Sequence, residues 1–360
     1  IMADGMIRSM KRSGESNTKV VLFSDSRQAA AKLSAGIELD HYRDALRWII
    51  LRVLNSDTKD ADFLKRVRAK KQNELTPEEI SEFRRLSGKT IYRPITDKIR
   101  DEWDGWAEES DIHELDTYFA NIGGVRLDNI EDRVFSAMIK VGINPAGAKP
   151  SVAQNMNGGS WDELFDFNTG KALTALGNAK TNFLDRIIYS NKIEQLASIF
   201  ANKNKSFEDL KLGYLKPSSA CDNTDEGVIC SVIRILGSRR RIMGIPTKFP
   251  RNDSFLQQAK DYVKIAYGFT RKVELDEKLD EIRQFLRENH IIDSQYMALS
   301  GEGLSFAKAN PGSRYWTCPV CKTNHMHDSH GFCVNCHASL GEPSILTSSD
   351  INDPNDYYLT

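Results

Sequence analysis

Apolar and polar positions divide the chain into stretches of different period. Residues 1–12 carry a helical stripe (Ile1, Met2, Met6, Ile7, Met10), and residues 13–17 form a polar loop. Val20-Val21-Leu22-Phe23 is a short, continuous apolar run rich in β-branched and aromatic residues, which predicts a buried strand. Ser24, Asp25 and Ser26 follow, types that accept hydrogen bonds from free backbone N–H groups at a helix start. Arg27-Gln28-Ala29-Ala30-Ala31 then opens a helix over 27–37. Residues 40–54 continue helically, with Tyr42, Leu46, Ile49, Ile50 and Val53 on one face. From 58 to 140 the pattern is charged, amphipathic helix. Within it, Thr76-Pro77-Glu78-Glu79 reads as a helix start with a capping box, and Gly88 as its end. Residues 141–165 are loop-like, 171–201 helical, and 254–268 and 273–290 amphipathic helices. Tyr296–Leu299 and Leu304–Ala307, separated by Ser-Gly-Glu-Gly, predict a β-hairpin. Helices followed by such a hairpin suggest a winged-helix module.

Size and charge narrow the picture. With 360 residues the chain exceeds one ordinary domain. Its 49 basic against 50 acidic side chains give no global attraction for nucleic acid, so any such contact must be local. The basic cluster Lys65, Arg66, Arg68, Lys70, Lys71 is most plainly a solvated helix face beside acidic partners. Trp103 and Trp106 read as packing residues rather than base-stacking platforms. Arg239, Arg240 and Arg241, after the apolar Ser231–Leu236, are the densest positive point and the candidate phosphate-contact patch; a cation cluster at a helix C-terminus is the alternative. No apolar run approaches the roughly 18 residues that span a bilayer, and no signal peptide opens the chain; a cytoplasmic location without membrane contact is the expectation.

Cysteine spacing supplies the strongest chemistry. Cys318-Pro319-Val320-Cys321 and Cys333-Val334-Asn335-Cys336 are two C-x-x-C knuckles separated by the 11 residues from Lys322 to Phe332. Each knuckle aims two sulfurs at one ion, and two knuckles close a tetrahedron around Zn²⁺. Iron in a rubredoxin-like site is the alternative. Four thiolates leave no open position, so the expected zinc is structural. His325, His327, His330 and His337 are then surplus as ligands and expected in hydrogen bonds around the site or at the surface. Cys221 and Cys230 read as free thiols in a reducing compartment.

Phe23-Ser24-Asp25-Ser26-Arg27-Gln28, with Gly36-Ile37-Glu38 and His41-Tyr42-Arg43-Asp44 after it, resembles the start of the second RecA-like domain of superfamily 2 helicases, in particular the large DEAD/DEAH-box-like helicases of bacterial phage-defence systems of the DISARM and Druantia kind. The resemblance extends to Gly142–Gly147 and Trp161–Phe165, similar to an insertion in those helicases, and to the position and type of the cysteine knuckles. It implies motif IV at the turn, with Ser24, Ser26, Arg27 and Gln28 contacting the nucleic-acid backbone and Asp25 as a cap or brace. It also implies DNA in preference to RNA as partner, other defence-system proteins as further partners, and ATP and Mg²⁺ as cofactors of a longer protein of which this chain is a piece. No Walker A loop, D-E-x-H motif or arginine-finger motif occurs in these residues, nor G-x-S-x-G or H-E-x-x-H, so ATP hydrolysis is not expected of this stretch alone.

The expected fold is mainly α with a small α/β element (the start of a RecA-like domain), a β-hairpin and a zinc ribbon. The expected segments are 1–54, the RecA-like start; 55–250, a helical insertion; 251–310, winged-helix-like; 311–343, the ribbon; and 344–360, a return linker. The alternative function is a non-enzymatic zinc-ribbon scaffold that binds a protein or nucleic-acid partner.

Overall fold

The computed structural model of the chain describes residues 27–89, 92–120, 124–148, 159–174, 176–200, 206–219, 225–245 and 252–347. The expected strand Val20–Phe23, the turn residues Ser24 and Ser26, and Cys221 lie outside them. In chain order the regular elements are α1 (Arg27–Arg68), α2 (Pro77–Ser87), α3 (Arg93–Asp104), α4 (Glu109–Ala120), β1 (Gly124–Arg126), α5 (Leu127–Lys140), β2 (Phe165–Asp166), β3 (Lys171–Ala172), α6 (Asn178–Ile199), β4 (Gly213–Pro217), α7 (Glu226–Ser238), α8 (Gln257–Ala266), α9 (Lys272–Glu288), β5 (Leu304–Lys308), β6 (Arg314–Thr317), β7 (Asn324–His325) and β8 (Ser344–Ile345). The protein is mainly helical, with small antiparallel sheets.

Helix α1 runs unbroken through 54, the expected domain boundary, although Asn55-Ser56-Asp57-Thr58 are poor helix formers. Packing overrides propensity here. Tyr42, Leu46, Ile50 and Leu54 bury into the main core, while Leu64 and Val67 enter a second cluster with Phe83, Leu86, Ile99, Leu115 and Phe119. Asp60, buried on α1, accepts from Arg85 at 3.1 Å and from Lys89 at 2.7 Å, which ties α2 to α1. The capping box predicted at α2 is formed in both directions. Glu79 N–H donates to Thr76 Oγ1 at 3.2 Å, Thr76 N–H donates to Glu79 Oε2 at 3.0 Å, and Gly88 caps the far end.

The main core lies between α1, α5, α6, α7, α8, α9 and a three-stranded antiparallel sheet of order β1-β5-β4. It draws Leu46 from the expected first segment, Val232 from the expected insertion, Tyr262 and Leu286 from the expected winged-helix segment, and Val334 from the ribbon. The expected boundaries are therefore not breaks in the core. Residues 228–237 of α7 are buried on every face, which marks it as the central helix.

Two expectations are corrected. Tyr296–Leu299 and Leu304–Ala307 do not form a hairpin. Leu304–Lys308 is instead the central strand β5, with Phe306 opposite both Val125 of β1 and Leu215 of β4, while Leu299 bridges Ile242 and Ile292. The glycine turn between them exists: Gly303 has φ +62°, and a Cβ there would meet the Asn289 carbonyl oxygen at 1.9 Å. The strand it launches finds partners nearly 100 and 180 residues away, a choice no local turn signal encodes. A wing is thus not built from these residues. Second, Ser344–Ile345, expected in the return linker, pairs with Tyr315 and Arg314 as the third strand of the β7-β6-β8 sheet.

Candidate metal centre

Strand β6 delivers the first knuckle and the segment after Gly331 the second; both are built alike. Lys322 N–H donates to the Cys318 carbonyl at 3.1 Å, and His337 N–H to the Cys333 carbonyl at 2.9 Å. Cys318 N–H donates to Thr323 O, and Cys333 N–H to Ala338 O, each at 2.9 Å. The chain escapes each turn through a positive φ, +62° at Lys322 and +61° at His337. These bonds fold each C-x-x-C so that its two sulfurs face the other knuckle. Cys318 and Cys336 sulfurs stand 3.4 Å apart, as do those of Cys321 and Cys333, and all four lie within 4.8 Å of one another.

That donor set fits a tetrahedral ion. Thiolates about 2.3 Å from one zinc would stand about 3.8 Å apart, between the closest and widest separations found. Electrostatics favour the charged form at one position. Burial would raise the Cys321 thiol, but hydrogen bonds from Thr323 and the neighbouring Cys333 and Cys336 sulfurs bring it down to about 6. Burial pushes the Cys333 and Cys336 thiols up, and the hydrogen-bonded Cys321 sulfur adds to the rise. A metal would reverse that cost and take all four as thiolates. Four sulfurs close the shell, so the arrangement can hold a structure together and offers no place for a metal-bound water.

The histidines do not join the cysteine cluster. His325 is fully buried with Nδ1 3.3 Å from Arg234, and His327 Nε2 lies 3.5 Å from Glu208. Burial, with Arg234 beside them, depresses their pKa values to about 2 and about 3, so both are neutral. His330 leans on the Tyr267 ring at 5.1 Å. Sequence reasoning missed the group that gathers His325 and His327: Arg234, from the apolar helix α7, pairs with Glu208 at 3.0 Å and Asp209 at 2.8 Å. The signal was a single arginine inside Val228–Gly237, since a charge within an all-buried helix needs a buried partner.

Other singled-out residues scatter. Arg27 and Gln28 open α1. Arg239 donates to Gln258 Oε1 at 2.6 Å, Arg240 sits at φ +56° with its charge disfavoured by burial and by Arg43, and Arg241 hydrogen-bonds through its backbone to Leu236 and Leu299. They follow α7 as a turn. In the basic cluster, Arg68 pairs with Glu102 and Asp116, and Lys70 with Glu79. Trp103 packs on Phe83 and donates to the Lys70 carbonyl, whereas Trp106 is 82% exposed. Among the described residues no helix is long and apolar enough to cross a membrane. In comparisons with known proteins, no family model, no curated protein and no solved structure matches this chain.

Proposed function

We propose that this chain is a zinc-stapled accessory region of an ATP-dependent DNA helicase or translocase of the phage-defence type. The cysteine cluster is the observation that carries the zinc part: four sulfurs from two equivalently folded knuckles, all within 4.8 Å, with no open coordination position. The grouping of four cysteines for a metal rather than for disulfides supports a reducing, cytoplasmic setting. The motor part is supported by the likeness of Phe23–Gln28 to motif IV. In this reading Ser24, Ser26, Arg27 and Gln28 hold the strand backbone, Arg239–Arg241 add phosphate contacts, and ATP and Mg²⁺ bind elsewhere in the longer protein.

Two measurements test it. Purified protein should carry one zinc per chain, removable by a chelator. Binding of single-stranded DNA should weaken in Arg27→Ala and in the Arg239/Arg240/Arg241→Ala triple variant, with a shallower dependence on salt. Unchanged affinity and slope would remove the nucleic-acid reading. They would favour the second one, a non-enzymatic scaffold that recruits a protein through its ribbon. That reading draws on Val320 at the tip of the first knuckle and Ile345 on β8, which are 68% and 62% exposed.

A further inference from the structure

The ribbon is too small to order itself. Its own apolar cluster contains Cys318, Cys333 and Leu340, with Trp316, Cys321 and Ala338 packed around them. Yet each knuckle is fastened to the helical body by a separate polar side chain that touches no sulfur. On the first side stands Asn324. Its Nδ2 donates to the Asp209 carbonyl at 2.7 Å, its Oδ1 accepts from Thr317 Oγ1 at 2.7 Å, and its own carbonyl accepts from Arg234 at 2.8 Å. Thr317 and Thr323, its neighbours across and along the strand pair, are the residues that frame Cys318 and Cys321. On the second side stands Gln258 of α8. Its Nε2 donates to the Val334 carbonyl, between Cys333 and Cys336, at 2.8 Å, and its Oε1 accepts from Arg239 at 2.6 Å. The Val334 side chain is itself buried in the main core.

We propose that Asn324 and Gln258 are positioning residues for the metal centre, setting its affinity from the helical body by holding the two knuckles apart from one another but facing. The inference rests on the four-cysteine site being a metal centre. The connections form a ring: the 206–212 turn and α7, Asn324, the first knuckle, the ion, the second knuckle, Gln258 and α8, which packs back on α7. With both knuckles anchored, folding of the body has already brought the sulfurs within reach before an ion arrives, and binding costs less ordering. Linkage makes the effect reciprocal: whatever the body adds to metal affinity, the metal returns as order in the body.

The experiment uses the full chain and two metals. Cobalt(II) added to metal-free wild type should give the intense thiolate-to-metal absorption and tetrahedral d–d bands of a four-sulfur site. Absence of that spectrum would overturn the metal centre itself and this inference with it. Zinc dissociation constants, from competition with a chromophoric chelator, should rise about tenfold in Asn324→Ala and in Gln258→Ala while the cobalt spectrum keeps its form. A core variant in the separate cluster of the α1–α4 corner, Leu64→Ala, should lose thermal stability and keep wild-type affinity, which separates positioning from general weakening. Zinc affinities within twofold of wild type in both folded variants overturn the proposal. Should either variant fail to fold, hydrogen exchange on the wild type decides. Zinc removal should accelerate exchange in 206–212, α7 and α8 as well as in the ribbon. Acceleration confined to 314–347 overturns it.

Discussion

The corner built from the end of α1 with α2, α3 and α4, and the ribbon over 314–347, are both small, and they solve the problem of smallness differently. The corner buries a cluster of ordinary size, Leu64, Val67, Phe83, Leu86, Tyr92, Ile99, Leu115 and Phe119, and dresses it with local devices: a capping box, a proline at the first helical turn, a left-handed Gly105 closing α3. Its charges are paired at short range on its own surface, as in Arg68 with Glu102 and Asp116. The ribbon has almost no apolar interior. Four sulfurs and a set of polar groups shared with the body, buried Glu208 and Arg234 with half-buried Asp209 and Asn324, take its place. Apolar packing is additive and forgiving, whereas a ribbon of this kind depends on a few groups each of which is costly to remove.

Substitutions should separate the two regions by size of effect. Cys333→Ser should abolish stoichiometric zinc and loosen the ribbon on its anchors, forfeiting binding energy on the order of 10 kcal/mol; zinc analysis and hydrogen exchange over 314–347 read this out, with the helical corner unchanged. Arg234→Ala should come next. It leaves the buried Glu208 and half-buried Asp209 carboxylates without their cation, at about 3–5 kcal/mol, measured by chemical denaturation of the zinc-loaded protein. Leu64→Ala should cost about 3 kcal/mol and leave zinc content untouched, since its cavity lies in the corner.

Acid should find the ribbon side first. His325 and His327 are held neutral in the folded protein, down to about 2 and about 3, whereas an unfolded imidazole takes a proton near 6.5. Below about pH 6.5 the unfolded chain therefore binds protons that the folded chain refuses. Stability should fall with pH from there toward about 3, by roughly 1.4 kcal/mol per pH unit for each imidazole. His327→Asn should flatten that slope in denaturation curves taken between pH 6.5 and 5. The smallest effect belongs to the corner: Thr76→Ala removes one cap and should cost about 1 kcal/mol, visible as a small shift of the denaturation midpoint.

The corner was legible in the sequence because its signals are local. Thr76, Pro77, Glu79 and Gly88 specify a start and a stop within thirteen residues, and the structure realises each of them. The cysteine spacing was legible for a similar reason, since a C-x-x-C turn closes on itself wherever it is placed. The continuity of α1 was not. The helical reading stops at 54 and resumes at 58, and the burial of Leu54, Asp60, Ala61 and Leu64 carries one helix across that gap. Arg234 was passed over as part of an apolar run because its partners, Glu208 and Asp209, sit some 25 residues earlier in a turn with no distinctive pattern.

The sequence by itself determined the helical character of most of the chain, the capped ends of its best helices and the residues able to grip an ion. Each of these is written in spacings shorter than one supersecondary unit. Only the tertiary structure decided which strand lies between β1 and β4, that Ser344–Ile345 completes the ribbon sheet, and that the loop between the knuckles is locked onto a buried arginine. Those outcomes depend on pairing and burial between segments far apart in the chain. There one register or partner wins by what the whole core leaves exposed, and no local stretch of residues carries that information.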